Sequence, residues 1–378
     1  MLLVSICTIF VLIIMYLATN YQSVVVGIPS GFDSNWKFKI PKSAFVAFAL
    51  VLILISSVRH GYIDTYAYKE MYINSRNNLA YVNSVPYGVE AGWLFFCYLL
   101  NFISPSPNLL LFVSALIIIG ANVYVIKKHS CDPVFSLMLL FCLEYMDTNN
   151  GLRQMVAAAL CIIGFSLLTE KKMINYLFFV ILSLVAMQFH ESVMVVFIIA
   201  VCVIGGCLNV RVIATLVMGL VFTIIPGVIS GYIGEIFSDS KYLIYLDVSL
   251  GMSYLRAFIV GIVPAVVAFY YILLKKRRRE KIDYGEGVLI NILFINTVFT
   301  IMGLGMQYWA RMAFYTAFAP FILMPKLLYT PVVRSQRSMV KAIALVCYFI
   351  FFAYNIYVNV GYGAIGDFYF DVSFGGGY

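Results

Sequence analysis

Charge is what this chain has least of. Only 11% of its 378 residues are Asp, Glu, Lys or Arg, against roughly 25% in a soluble globular domain. With 63% hydrophobic residues and a mean hydropathy of +0.96, a water-soluble fold is excluded. Strands of alternating polarity are also missing, which excludes a membrane barrel. The apolar runs are instead continuous and about 16–23 residues long, the length of membrane helices. The fold class expected is an all-α polytopic membrane protein. Paired cysteines are absent too: eight cysteines contain no CxxC, and most lie inside apolar runs. They read as small buried hydrophobes rather than a disulfide or zinc framework. There is no DxD pair and no carboxylate cluster at metal-ligand spacing, so no metal and no cofactor are expected. Residues 1–18 lack a basic n-region and a small-residue cleavage site, so no cleavable signal is expected. Neither a repeat nor a low-complexity linker is present, and residues 1–378 read as one integral-membrane domain.

What is present is a series of apolar runs. Full spans are predicted near 2–18, 43–58, 107–126, 133–148, 151–169, 174–190, 191–208, 211–230, 253–274, 286–305, 308–329 and 338–360, about twelve in all. The run 91–103 is shorter. As a helix it rises about 20 Å, less than the roughly 30 Å hydrocarbon core, and it ends in Ser104-Pro105-Ser106-Pro107. It reads as a re-entrant or interfacial helix. With that assignment the positive-inside rule orients the chain. Lys37, Lys39, Lys42, Lys127, Lys128, Lys171, Lys172, Arg211, the six bases of 275–281, Lys326, Arg334, Arg337 and Lys341 fall on the cytoplasmic side. These are 18 of the 25 Lys and Arg. A full crossing by 91–103 would reverse everything downstream. The net charge of +8 is therefore a topogenic signal and not a nucleic-acid one.

The opposite face holds the outer segments 59–90 and 231–252. The first is aromatic and polar, with Arg59, Asp64, Glu70, Arg76 and Glu90 among Tyr62, Tyr66, Tyr68, Tyr72, Tyr81 and Tyr87. Asp64 suits the N-cap of a short helix over 65–76, in which Tyr68 and Tyr72 share a face. The second carries Glu235, Asp239, Lys241 and Asp247.

The stretch from Asp147 to Leu160 places Arg153 and Gln154 just inside a membrane helix. A charge at mid-bilayer costs about 2.5–3.5 kcal/mol by insertion scales, so such residues face a bundle interior or a water-filled cavity. Under the predicted topology Arg59, Arg153, His190 and Arg311 share one outer membrane depth. An arginine at a helix end also serves as a snorkelling anchor, and tyrosines form interfacial belts. The segment Gln188-Phe189-His190-Glu191-Ser192 is a polar turn between two apolar runs, tolerated at that depth where it lines a cavity. These groups suit transfer from a lipid pyrophosphate. The departing diphosphate builds up negative charge that guanidinium groups stabilise. His190, with an ordinary pKa of about 6.5, is the natural proton acceptor. Asp64 and Glu90 are the fallbacks.

The pieces Arg59-His60-Gly61-Tyr62-Ile63-Asp64 with Tyr68 and Tyr72, then Glu90-Ala91-Gly92-Trp93, Gly151-Leu152-Arg153-Gln154, Phe189-His190-Glu191-Ser192 and Arg311-Met312-Ala313-Phe314-Tyr315 resemble the EpsG family. That family is a branch of the Wzy-type polymerases of O-antigen, capsule and exopolysaccharide. The resemblance runs from about residue 59 to 325. It implies a bacterial inner-membrane polymerase acting on undecaprenyl-diphosphate-linked oligosaccharide repeats at the external face. Arg59, Asp64, Arg153, Gln154, His190 and Arg311 are the positions it carries over.

The expected function is inverting, metal-independent glycosyl transfer. Arg153 and Arg311 hold the diphosphate, with Arg59 third and subordinate, and His190 accepts the proton. Asp64 orients a sugar or the base, and Gln154, Tyr62, Tyr68 and Tyr72 contact substrate. The expected partners are the lipid-linked oligosaccharide, membrane lipid and a chain-length regulator, with no nucleic acid. A flippase for the same lipid, or a polysaccharide ligase or acyltransferase, is the alternative.

Overall fold

The computed structural model describes residues 42–60, 62–78, 80–81, 89–224, 253–305 and 307–361. The predicted span 2–18, Lys37, Lys39, Tyr87 and the segment 231–252 lie outside them. Among the described residues the ordered elements are helices, with no strand. The chain divides into two compact units. The first comprises 1–160, 185–191 and 335–378, the second 161–184 and 192–334.

In the first unit, α1 (Lys42–Ser57) lies along α4 (Asn108–His129). Phe45, Phe48, Leu52 and Ser56 of α1 are buried at helical spacing, while Val46, Leu50 and Leu54 on the other side are exposed. A helix apolar on both sides is one that meets lipid where it does not meet protein. The short outer helix α2 (Thr65–Asn74) packs on α3 (Ala91–Asn101), and both touch α4. The apolar helix α5 (Pro133–Leu143) is buried throughout, against α4 and the last helix, α14 (Arg337–Gly361). Two helices begin or end here as well: α6 (Leu152–Leu168) enters with its first turns and α7 (Met173–Met187) with its last.

The second unit is built around α11 (Tyr284–Met302), nearly every residue of which is buried. Asp283 caps it by accepting from the Glu286 amide at 2.8 Å. Its neighbours are α8 (Met194–Val203), α9 (Val210–Ile224), α10 (Tyr254–Arg277), α12 (Gln307–Met312) and α13 (Phe318–Tyr329). Polar side chains on α11 repair irregular backbone around it, as a water-free interior requires. Asn291 serves the turn after α8, donating to Val203 and Gly206 carbonyls at 3.0 Å and accepting from Leu208 N at 2.8 Å. Thr297 donates to the Gly261 carbonyl at 3.1 Å. Gly261 lies in a π-helical turn (Ala257–Ile262) just before Pro264, which has no N–H to continue the ladder.

The predicted span 308–329 is broken. Residues Tyr308–Tyr315 and Phe318–Tyr329 meet at 64°. Asn296 donates to the Ala313 carbonyl and to Thr316 Oγ1 at the break, both at 3.2 Å. A buried amide thus takes up backbone that the helix leaves open. Four described helices are long and apolar enough to cross a membrane, or five if the bent pair is one span. Seven further apolar helices have 10–17 residues. They are shorter than the runs that predicted them because polar turns such as Asp147–Asn149 and Glu191–Val193 end the helices early. Residues 91–101 form the expected short helix, 11 residues long.

Candidate functional site

Every sequence-predicted site residue except Arg311 belongs to the first unit. Local folding brings several of them together. After α1 the chain turns through Ile63, which has φ of 43°, and Arg59 points inward with 1% of its surface exposed. Its Nη1 donates to the Ser56 carbonyl at 2.6 Å and to Asn149 Oδ1 at 3.0 Å, and its Nε to Thr65 Oγ1 at 3.1 Å. Ser56 lies in the last turn of α1, where carbonyls lack helical partners and a cation is favourable. Arg59 is therefore held by the end of α1, the start of α2 and the 147–149 turn. All three holders are neutral oxygens. Its Nη2 is buried with no partner, and among the described residues no ion pair compensates the charge. Burial pushes the Arg59 pKa down from 12.5 to about 10, against the opposing influence of Tyr145, Tyr62 and Tyr68. The group still carries its charge at neutral pH.

The second guanidinium sits on α6. Gly151, at φ of +60°, supplies the left-handed residue from which α6 starts. Arg153 follows in its first turn, half-buried, and its Nη1 is ion-paired to Glu90 Oε2. Glu90 precedes α3 and is 8% exposed. Its other oxygen accepts from the backbone amide of Glu191 at 3.2 Å, which brings His190 within one residue of the carboxylate. The His190 backbone amide closes the end of α7 on the Ala186 carbonyl at 3.1 Å, and the residue is half-buried. This juxtaposition depends on Gly92: a Cβ there would overlap the Gln188 carbonyl.

Tyr68 links the two guanidinium groups, since its hydroxyl lies against Arg153 and it also faces Arg59. Burial raises the Tyr68 pKa and the Arg153 charge pulls it partly back. The Tyr68 ring meets Trp93 edge-on with centroids 5.4 Å apart, and Trp93 in turn meets Phe189 at 6.5 Å. Trp93 is fully buried, and its indole N–H has no acceptor, although a buried indole usually finds one. Tyr62 is buried, with its carbonyl accepting from Thr65 Oγ1 at 2.8 Å. Gln154 is buried in the first turn of α6.

Other predicted residues are placed differently. Asp64 occupies the N-cap position of α2 but makes no capping bond. Its φ and ψ of −85° and 3° are not the extended values that aim a cap side chain at the helix amides. Tyr68 and Tyr72 share a face, as expected, and that face is buried. Tyr72 is fully enclosed and donates its hydroxyl to the Ser104 carbonyl at 2.6 Å, pinning α2 to the turn after α3. Arg311 belongs to the second unit, half-buried on α12 in the first arm of the broken span.

Three participants were not anticipated: Asn149 and Thr65 as holders of Arg59, and Glu90 as the counter-ion of Arg153. The polar run Thr148-Asn149-Asn150 was a visible signal for the first. Nothing local signals a pair 63 positions apart.

A cluster of two guanidinium groups, one lacking any anionic partner, with an orphan indole N–H and a carboxylate nearby is a site rich in donors. It can hold an anion with many acceptor oxygens and sits at the ends of apolar helices. Neither curated proteins nor solved structures yield a match to the chain. The sequence profile of one family does match, over residues 42–367, which takes in all of the second unit and most of the first. This is a multi-pass membrane protein of the EpsG family, a family of polysaccharide-polymerase-like proteins.

Proposed function

We propose that the chain polymerises lipid-diphosphate-linked oligosaccharide repeats, and that the Arg59–Arg153 cluster receives the donor diphosphate. The observation that carries this is Arg59, a wholly buried guanidinium with no carboxylate partner and an unused Nη2. Burying a charge without compensation is costly, and an anionic ligand would remove the cost. In the proposed step, a hydroxyl of the acceptor repeat attacks the anomeric carbon of the donor glycan. The new glycosidic C–O bond forms as the anomeric C–O bond to diphosphate breaks. Undecaprenyl diphosphate departs with the electron pair, and His190 takes the hydroxyl proton. Arg59 and Arg153 stabilise the charge of the leaving group. Inversion follows from a single displacement. Gln154, Tyr62 and Tyr68 position the substrate, Asp64 orients a sugar hydroxyl, and Tyr72 supports this wall through α2. The compartment proposed is the bacterial inner membrane with the site facing outward. A chain-length regulator is a further proposed partner.

The test is reconstitution with purified lipid-linked repeat. Wild type should give a polymer ladder, and Arg153→Ala should abolish it at unchanged protein level; undiminished laddering by the variant would rule the assignment out. The break between Tyr315 and Phe318 favours a second reading, since interrupted helices line transporter sites. Movement of a fluorescent lipid oligosaccharide across the bilayer without bond formation would select it.

A further inference from the structure

We propose that Glu90 is an exchangeable counter-ion: it occupies the Arg153 guanidinium in the empty site and yields it to the incoming diphosphate. The proposal rests on the assignment above of this cluster as a diphosphate site and adds its regulation. Glu90 stands at the N-cap of α3, yet its side chain makes no capping bond there. It reaches away from its own helix to Arg153 and to the Glu191 amide. The pair is unequally covered, with side-chain exposures of 19% for Arg153 and 6% for Glu90. The guanidinium is the partner a ligand can reach, and the carboxylate lies behind it.

Carboxylate and phosphate present the same two acceptor oxygens to a guanidinium. Exchange of one for the other needs no more at Arg153 than a phosphate oxygen where Glu90 Oε2 now binds Nη1. What it does need is somewhere for the displaced carboxylate, because a buried carboxylate stripped of all partners is strongly unfavourable. The Glu191 amide meets that need, since its bond of 3.2 Å goes to Oε1 and not to the oxygen that holds Arg153. The close seating of Gly92 on Gln188 fixes this amide relative to Glu90, so the fallback bond is built into the packing. Arg59, by contrast, has only neutral holders. The two guanidinium groups are therefore unequal: Arg59, enclosed at 1% exposure, has no anion to give up among the described residues, and Arg153, the more exposed of the two, is engaged only by a ligand able to displace Glu90. A single weak anion should fail where a diphosphate succeeds, which keeps the reactive site closed to free phosphate.

Binding of farnesyl diphosphate to the purified full-length protein in nanodiscs tests this, with farnesol and inorganic phosphate as controls. Glu90→Gln removes the competing charge and keeps the side-chain shape. It should tighten farnesyl diphosphate by about tenfold or more and should raise inorganic phosphate binding from undetectable to measurable. In an Arg153→Ala background the same change should leave affinity unaltered. Affinity in Glu90→Gln equal to or weaker than wild type overturns the proposal. If that variant is not monodisperse, Glu90→Asp withdraws the carboxylate by one methylene, and unchanged affinity there overturns it equally. Should neither wild type nor variant prefer farnesyl diphosphate to farnesol, the diphosphate assignment itself fails. If both prefer it to the same degree, only the exchange fails.

Discussion

Replacing Arg59 by methionine should separate stability from activity. The pKa depression from 12.5 to about 10 is worth roughly 3 kcal/mol against the charged form, at 1.36 kcal/mol per unit. An apolar side chain of similar length recovers that cost. It loses the bonds to Ser56, Asn149 and Thr65, at about 1.5 kcal/mol for each bond from a charged donor. The two effects nearly cancel, and the expected loss of stability is about 1–2 kcal/mol. Activity should fall far more. Each charged contact to a diphosphate oxygen is worth about 1.5–3 kcal/mol, or about tenfold to 150-fold in rate. Thermal unfolding followed by size-exclusion chromatography, beside the polymerisation assay on the same preparation, measures both. A large fall in stability with activity per folded molecule preserved would refute the reasoning, because Arg59 would then be a structural post.

Arg59→Lys carries a second expectation. The same burial acting on a lysine, whose ordinary pKa of about 10.4 starts lower, pulls it down too. The ammonium is present below its lowered pKa and lost above it, so activity of the variant should decline at a lower pH than that of wild type. Wild type, with Arg59 at about 10, should show no such early decline from this group in a pH–rate profile. Gly92→Ala places a Cβ on the Gln188 carbonyl; it should cost about 2 kcal/mol or more and depress activity further by shifting the Glu191 amide, as unfolding and rate measurements together would reveal. At the other end of the first unit, Asp132 is buried, caps α5 through Phe135 N at 3.1 Å and pairs with Lys341 of α14 at 2.9 Å. Asp132→Ala should destabilise by about 3 kcal/mol. A double-mutant cycle with Lys341→Ala should give a coupling of about 1 kcal/mol or more, and additive losses would contradict a shared interaction.

Much of this protein was legible without coordinates because hydrophobicity is a local property. The continuous apolar runs named the class, and the Pro-bounded run at 91–103 named a helix too short to cross. Arg59, Glu90, Arg153 and His190 drew notice because ionisable groups beside apolar runs are expensive and therefore rare. Their ranking was not legible. Arg153 looked like the principal cation and Arg59 a minor one. The fold compensates Arg153 with Glu90 and leaves Arg59 buried among neutral oxygens.

The break after Tyr315 was likewise hidden, because a run of apolar residues has the same composition whether its helix continues or bends. Composition and order along the chain settled that the polypeptide is helical, lives among lipids and carries a few costly charges. Which of those charges has a partner was decided only by folding, since a Coulomb contact depends on separation in space and the residues that make it here stand 63 positions apart.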